Sequence, residues 1–458
     1  MDFLPFIIVY LALITGMALY FSRKVKSSDD FSVAGRRLGP IIIAGTLLAT
    51  WMGGGSILGT ANFIYSYGPF AGVLYCLAEP FGIFLLILLA RTIRRTKGYT
   101  ISGILNDRYG NIANIVASLA IILAYVGIVS YQIRGFGIIL NLATGISLEN
   151  AFLISFGFIL LITLLGGLIS VAYTDCLSAF LISFGLLVGI PFALQATGGF
   201  TGMLSSLPPE NLTLMSTLNP LQWIGYLLPT LFLVLGDQNM YQRLFAAKDE
   251  RSASRGSLYW LIGCLIINIP LIILAASSRA LDLLPLESAD YAILELAATV
   301  MPFVLGGIIL ASASAFLLTT GDSYLLSSAT TFVYDILTRY RKKKTSDRLK
   351  LFLQRLMVLL LGVSAFVMIR FFPSVLEMQM FAYTMYGATI TPALLGALVW
   401  KKSTKAGGIS SMLVGICFTV IGQVTVKQWW DLNAIVVSAP LAIITLIVVS
   451  LLTQKKSV

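Results

Sequence analysis

The chain has 458 residues, of which 58% are hydrophobic and only 11% carry a charge. A water-soluble domain of this length needs much more polar surface to cover its core, so the composition excludes an ordinary soluble protein. The sequence contains no histidine, which excludes imidazole proton relays, histidine-ligated metals and serine–histidine catalysis. The formal net charge is +11, yet the basic residues lie between apolar runs, so we expect no nucleic-acid partner.

Apolar runs of about 20 residues, the length that a helix needs to cross a bilayer, recur along the whole chain. The first run is followed by Arg23, Lys24 and Lys26 without a small-residue cleavage pattern, so we interpret it as a membrane helix and not as a signal peptide. The four cysteines lie in apolar segments without metal-ligand spacing and are interpreted as packing residues. We predict about 13 spans, at 3–22, 40–64, 69–90, 112–143, 150–171, 174–195, 220–245, 256–279, 303–334, 352–371, 376–399, 406–426 and 433–453.

Alternate loops of this arrangement are strongly basic, and the longest of them is residues 338–350 (TRYRKKKTSDRLK). Basic loops stay in the cytoplasm, so the pattern predicts an outside N-terminus and a cytoplasmic C-terminus. In this count Arg243 belongs to the basic loop after the seventh span. Arg134 is then the only basic residue expected deep within a span.

Two predicted spans are interrupted near their middle. The second contains three consecutive glycines, Gly53 to Gly55, and the seventh contains residues 236–239 (GDQN), which are poor helix formers. Irregular backbone at membrane depth is tolerated where it is buried or lines a cavity, and a pair of broken spans five apart indicates an inverted-repeat transporter. Close helix packing on small residues is the alternative for the glycines, although it does not explain the paired placement.

Several motifs occur along nearly the whole chain in a fixed order. They are residues 49–60 (ATWMGGGSILGT), 162–170 (ITLLGGLIS), 170–175 (SVAYTD), 319–328 (TTGDSYLLSS) and 386–402 (YGATITPALLGALVWKK). Together they resemble the sodium:solute symporter family, and the ATW-x-GGG form is most similar to choline-transporter-like members. The resemblance implies an all-α polytopic fold of the leucine-transporter type, with a five-plus-five inverted-repeat core. The implied division is an extra helix and loop at 1–39, the core at 40–402 and two further helices at 403–458.

The resemblance also implies a main sodium site between the second and ninth spans. Two hydroxyls of the ninth span would bind the ion together with backbone carbonyls, and oxygen ligands of this kind suit hard cations. The alternative is that these hydroxyls bond back to carbonyls of their own helix. The implied ligands are the hydroxyls of Thr319 and Thr320 with the carbonyls of Ala49, Met52 and Phe316.

A second cation site is implied for members that carry an acid at the position of Asp175. Its further side chains would be Thr319, Asp322 and Ser323, which share one helix face at i, i+3 and i+4. Two nearby carboxylates do not both stay ionised without a cation between them, so the pair indicates either a second sodium site or a proton-carrying pair. Asp175 as a helix N-cap at the cytoplasmic interface is the third interpretation.

The substrate is expected to bind at mid-membrane beside the two broken spans. Trp51 lies where choline-like members place an aromatic residue that contacts an ammonium group, whereas Asp237 stands where they have a second tryptophan. Arg134 is expected either to bind a substrate carboxylate or to pair with Glu79 or Asp237. The candidate substrate residues are Trp51, Ser56, Glu79, Arg134, Asp237 and Gln238.

The sequence thus predicts a sodium-coupled symporter that imports a small polar organic solute by alternating access. The same fold coupled to protons and a non-transporting sensor are the alternatives. The lack of histidine and of a recognisable catalytic loop argues against a membrane enzyme. We expect sodium as the coupling ion and no organic cofactor. The partners expected are the solute and the lipid bilayer, in a monomeric or weakly associated protein of the cell membrane.

Overall fold

The computed structural model describes residues 3–22, 33–96, 100–165, 168–338, 346–372 and 374–454. Three features discussed above fall outside the described residues. They are the basic residues 23–26, most of the basic loop (339–345) and the glycine pair 166–167.

Among the described residues, ten helices are long and apolar enough to cross a membrane, or eleven if one bent pair counts as one span. A shorter apolar helix, α5, and an interrupted helix, α7, account for the other two predicted spans. The membrane helices are α1 (Leu4–Ser22), α2a (Pro40–Trp51), α2b (Gly55–Tyr67), α3 (Pro69–Arg95), α4 (Asn111–Thr144), α5 (Leu148–Leu165), α6 (Leu168–Ala196), α7a (Pro220–Gly236), α7b (Gln238–Ala246), α8 (Glu250–Ala280), α9 (Phe303–Leu337), α10 (Asp347–Met368), α11 (Val375–Val399), α12 (Lys405–Val424) and α13 (Ile435–Thr453).

Both predicted breaks are present. The axis bends by 56° between α2a and α2b, and the last α2a bond is donated by Met52 N to Leu48 O. A Cβ on Gly53 would lie 2.8 Å from both Gln132 Nε2 and Thr320 Cγ2, so the neighbouring helices approach too closely for a side chain there. In α7 the chain leaves the helix at Asp237 (φ −66°, ψ 119°), whose side chain then caps α7b.

The central helices of the bundle are α9 and α4. The most apolar stretch of α9 is 83% buried inside the protein, against 18% for that of α1. Helix α4 packs on α9 and α11, while α2a packs on α6 and α8. The two C-terminal helices α12 and α13 pack on each other and on α11. Polar residues on α4 and α9 therefore face protein and not lipid, which marks these helices as the place to look for a site.

Side-chain hydrogen bonds cap the N-termini of helices that follow the loops. Asp249 precedes α8, and its Oδ1 accepts a 2.6 Å hydrogen bond from Ser252 N. That backbone bond lowers the pKa of the Asp249 carboxyl. The helix Ile101–Tyr109, not predicted from the sequence, starts at Thr100, whose hydroxyl accepts from Gly103 N.

Candidate functional site: the break of the second helix

The break of α2 lies against α4, α9 and α11. Gly54 N donates a 2.8 Å hydrogen bond to Gln132 Oε1 of α4. On the other side, a Cβ on Gly59 would lie 2.0 Å from Gln379 Oε1 of α11. Gln132 thus binds the irregular backbone, and Gln379 packs closely against it. Neither glutamine was predicted from the sequence, although each is a buried amide on a helix that is otherwise largely apolar.

Two of the proposed ligands of the main sodium site, Thr320 and Ala49, meet at this break. Thr320 Oγ1 donates across the helix boundary to Ala49 O at 3.3 Å. Thr319 Oγ1 lies 3.4 Å from Phe316 O of its own helix. Met52, the C-cap of α2a, is also fully buried. The alternative of hydroxyls bonding back to their own helix thus describes Thr319 but not Thr320. Hydroxyl and carbonyl oxygens in a buried cluster suit a hard cation.

This packing predicts that Gly53→Ala weakens sodium binding. The new Cβ would sit 2.8 to 2.9 Å from Thr320 Cγ2 and Oγ1 and from Gln132 Nε2, so the ligand set must move. We expect a higher sodium concentration at half-maximal uptake, measured in proteoliposomes. Gly157→Ala in α5 is the matched control, because nothing lies within 4 Å of its added Cβ. Unchanged sodium dependence in Gly53→Ala would show that the ion does not bind beside this glycine.

Asp175 lies within α6, seven residues after its first residue Leu168, and it is fully buried. The interpretation of Asp175 as a helix N-cap was therefore wrong. Asp175 Oδ2 accepts hydrogen bonds from Thr46 Oγ1 at 2.6 Å and from Thr50 Oγ1 at 3.4 Å. The carboxylate thus joins α6 to α2a.

A fully buried arginine, expected from the sequence to lie in a loop, completes this cluster. Arg243 lies on α7b with no exposed surface. Its NH2 group is 3.4 Å from Asp175 Oδ2 and 3.3 Å from Ser323 Oγ, and its Nε donates to Thr46 Oγ1 at 3.0 Å. Arg134 is therefore not the only basic residue deep within a span. Four apolar residues, 244–247, separate Arg243 from Lys248, and that spacing was the available signal.

Asp322 is buried on α9 beside the same cluster. Ser323 Oγ donates a hydrogen bond to Asp322 Oδ1 at 3.3 Å. Asp322 also interacts electrostatically with Asp175, which repels its negative charge, and with Arg243, which attracts it. Two carboxylates and one guanidinium thus share one buried region. One negative charge remains uncompensated when both carboxylates are ionised.

The predicted substrate residues separate into three groups. Trp51 lies at the break, with ring centroids 6.2 Å from Trp260 and 6.0 Å from Tyr383. Ser56 Oγ donates a hydrogen bond to Trp51 O at 3.1 Å. Glu79 is close enough to Tyr383 for an electrostatic interaction. These residues form the mid-membrane group.

Asp237 and Gln238 have structural partners at the break of α7. Asp237 accepts hydrogen bonds from Tyr125 OH at 2.6 Å and Tyr324 OH at 2.5 Å. Gln238 Nε2 donates to Thr331 Oγ1 at 2.7 Å. Both side chains are fully buried, so they hold α7b to α4 and α9.

Arg134 lies apart from the other candidates. Its NH1 donates to Phe372 O at 2.9 Å, and its charge acts on Asp290 and Tyr291. Asp237 and Glu79, the two expected partners, interact with other groups. Arg134 is thus part of the contact between α4 and the segment that precedes α11.

Comparison with known proteins agrees with this architecture. The sequence profile of the sodium:solute symporter family matches residues 31–415. High-affinity choline transporter 1 of Drosophila melanogaster is 26% identical over 451 residues, which cover 91% of this chain and 70% of that protein. The sodium/pantothenate symporter of Escherichia coli (strain K12) is 24% identical over 459 residues, which cover 96% and 95%.

A solved structure shares the fold. It is the substrate-bound outward-open state of a Na+-coupled sialic acid symporter, with a TM-score of 0.82 and 19% identity over 99% of this chain and 98% of that one. The predicted all-α, leucine-transporter-type fold is confirmed. The chain therefore belongs to the sodium:solute symporter family, and it is a multi-pass, sodium-coupled transporter of a small polar solute and not an enzyme.

Proposed function

We propose that this protein imports its solute by alternating access, driven by sodium bound between Thr319, Thr320 and the carbonyls of Ala49, Met52 and Phe316. The observation that supports this proposal is the hydrogen bond from Thr320 Oγ1 to Ala49 O, which joins α9 to the broken α2. An ion held by both helices favours the arrangement in which they lie together. Sodium binding is thereby linked to the state that binds solute.

Cavities at opposite ends of the bundle support alternating access. One of about 190 Å³ opens between α2b, α7a, α11 and the α12–α13 connection. At the other end a space of only about 10 Å³ reaches Arg243 and Ser323. The wide cavity and the nearly closed one lie on opposite sides of the α2 break, as a gated pathway requires.

The experiment is uptake into proteoliposomes against a panel of amino acids, carboxylates, sugars and quaternary amines. Uptake driven by an inward sodium gradient is expected, and a potassium gradient of the same size is the control. Uptake that needs a proton gradient and no sodium would establish the proton-coupled alternative. Sodium-dependent binding of a solute without any uptake would identify a sensor.

We also infer the division into a 40–402 core with extra helices at 1–39 and 403–458. Helix α1 packs on the outside of α6 and α9, and α12 and α13 pack on α11. The accessory helices thus border the core and supply none of the proposed sodium ligands.

The inferred orientation places the N-terminus outside and the C-terminus in the cytoplasm of the cell. Four described basic side chains bind backbone carbonyls or an acid near helix ends at one end of the bundle. They are Arg36 (to Phe245 O), Arg94 (to Ala247 O), Arg95 (to Glu250) and Arg108 (to Lys401 O). A shared basic end belongs to the cytoplasm.

Single-cysteine labelling tests this orientation. Ser205→Cys and Lys402→Cys, both at exposed positions, are introduced separately into a cysteine-free variant in intact cells. A membrane-impermeant maleimide is expected to label position 205 and to reach position 402 only after permeabilisation. The reverse pattern would invert the topology.

Asp322→Ser tests whether a second sodium binds. With Arg243 near Asp175, the site retains one uncompensated negative charge that a sodium ion at Asp322, Ser323 and Thr319 would balance. We expect wild type to move two sodium ions per solute and Asp322→Ser one, measured as charge moved per solute in proteoliposomes. Uptake by wild type that falls as pH rises would indicate a proton instead. A one-sodium stoichiometry shared by both proteins would show that Asp322 binds no ion.

A further inference from the structure

A short helix lies between α3 and α4 at the end of the bundle that we infer to be cytoplasmic. We call this helix, Ile101–Tyr109, the clamp helix. It ends at Gly110, whose φ of +89° suits glycine and separates the clamp helix from α4, which begins at Asn111. The two ends of the clamp helix make different contacts.

The C-terminal end of the clamp helix is attached to the connection between α11 and α12. Arg108 NH2 donates hydrogen bonds to Lys401 O at 2.6 Å and to Ser403 O at 3.1 Å. Tyr109 OH donates to Ala393 O at 3.0 Å. Hydrogen bonds from a charged donor are stronger than those between neutral groups, so this end of the clamp helix is firmly held.

The N-terminal end of the clamp helix binds α9 through one carboxylate. Ser102 Oγ donates a hydrogen bond to Asp335 Oδ2 at 2.8 Å, and Thr100 Oγ1 donates to Asp335 Oδ1 at 3.1 Å. Asp335 lies in the last turn of α9, and all three residues are buried. Both oxygens of Asp335 therefore hold the clamp helix against α9.

Gln238 connects the same end of the clamp helix to the broken helix α7. Its Oε1 accepts a 3.2 Å hydrogen bond from Ile101 N, while its Nε2 donates to Thr331 Oγ1 at 2.7 Å and to Ser327 Oγ at 3.2 Å. Gln238 is the first residue of α7b, directly after the break at Asp237. A change in the angle of α7b at this break would therefore pull Gln238 away from both the clamp helix and α9.

Helix α7b is in turn paired with the segment that leads into α2a. Leu38 N donates a hydrogen bond to Ala246 O at 3.1 Å, and Lys248 N donates to Leu38 O at 3.0 Å. Helix α2a carries two of the proposed sodium ligands. The contacts of Gln238 thus restrain both broken helices at the end of the bundle where a space of only about 10 Å³ reaches Arg243.

We propose that the clamp helix is a cytoplasmic lock, whose contacts with Asp335 and Gln238 keep α7b and α2a closed and whose release opens the site to the cytoplasm. Ser102 and Gln238 are positioning residues, because they act on the pathway through the helices that they hold. Each contact is a hydrogen bond of small net free energy, so the closed and open states remain interconvertible. This inference rests on the proposed alternating-access function, since it names the contacts that close one side of the protein.

Two cysteine reporters, each introduced alone into a cysteine-free variant, test the lock without sodium or solute. Val171→Cys lines the narrow space at the cytoplasmic end, and Ser66→Cys lines the wide cavity at the other end. Purified protein in lipid nanodiscs, in potassium buffer, exposes both ends to a membrane-impermeant maleimide. The reaction rate of each reporter is the measurement.

Each reporter is combined with Ser102→Ala, with Gln238→Ala or with the control Ser155→Ala. Ser155 matches Ser102 because both are fully buried, but its hydroxyl donates to Ala151 O of its own helix α5. The control should react as the unmodified reporters do.

Ser102→Ala and Gln238→Ala should each raise the reaction rate of Val171→Cys about 10-fold, because the rate follows the fraction of molecules that are open at that end. Ser66→Cys should react at the same rate or more slowly, since alternating access does not open both ends together. A double variant of Ser102→Ala with Asp335→Ala should react no faster than Asp335→Ala, because Ser102 and Asp335 share one hydrogen bond.

Faster reaction of both reporters would identify purely structural bonds and overturn the proposal. An unchanged rate of Val171→Cys in both variants would also overturn it, while sodium-driven uptake by wild type would still support the proposed function. Additive effects of Ser102→Ala and Asp335→Ala would remove Ser102 from the lock. If Val171→Cys alone reacts faster but wild type shows no sodium-driven uptake, the proposed function fails and the lock stands.

Discussion

Thr320→Ala is expected to raise the sodium concentration for half-maximal uptake by about 5- to 150-fold. The range corresponds to about 1–3 kcal/mol, the scale of a lost hydrogen bond to a charged group. The structural reason is that Thr320 Oγ1 reaches the carbonyl of Ala49 on the broken helix. Loss of this oxygen removes both a ligand and the link between α9 and α2. Thr319→Ala should act in the same direction, because its hydroxyl lies beside Phe316 O.

The measurement is solute uptake into proteoliposomes as a function of sodium concentration. Thr163→Ala is the matched control. Thr163 is a buried threonine of α5 whose hydroxyl donates to Ile159 O of its own helix, and it lies outside the proposed site. If Thr319→Ala and Thr320→Ala keep the sodium dependence of wild type, the ion binds elsewhere.

The membrane helices and both breaks could be predicted from the sequence because each depends on a local property. Apolar length defines a span, and Gly53 to Gly55 or a run such as 236–239 interrupts it. The proximity of Thr320 to Ala49 does not depend on a local property of the sequence. It was implied by family resemblance, and the residues alone could not place two helices 271 positions apart in contact.

The direction in which side chains point from buried helices could not be predicted from the sequence. Helix α4 is buried on nearly all sides, so no polar face distinguishes Gln132, which binds the break, from Arg134, which does not. Arg134 was predicted as a site residue because it carries a charge. Arg243 was missed for the opposite reason, because its nearness to a basic loop suggested a position at the membrane surface. Only tertiary packing determines which of these buried polar side chains lies at the site.

Arg243→Gln should destabilise the protein more than any other single change considered for this site, by about 3–5 kcal/mol. Arg243 is fully buried and binds Asp175 and Ser323. Its loss leaves Asp175 and Asp322 without their shared guanidinium, and an uncompensated buried charge is costly. We expect a much lower thermal unfolding temperature for purified protein. Sodium should restore part of the loss more effectively than potassium, because an ion that binds only the folded state stabilises it.

The double variant Arg243→Gln/Asp175→Asn separates charge from shape. Removing one carboxylate together with the guanidinium leaves the charge balance of wild type, so most of the unfolding temperature should return and the double-mutant cycle should show strong coupling. Arg95→Gln is the control, because its ion pair with Glu250 has side chains 68% and 40% exposed and contributes at most about 1 kcal/mol. A double variant no more stable than Arg243→Gln would mean that Arg243 acts through its bonds to Thr46 and Asn239 O. The charge balance with Asp322, and with it the argument for a second sodium, would then be wrong.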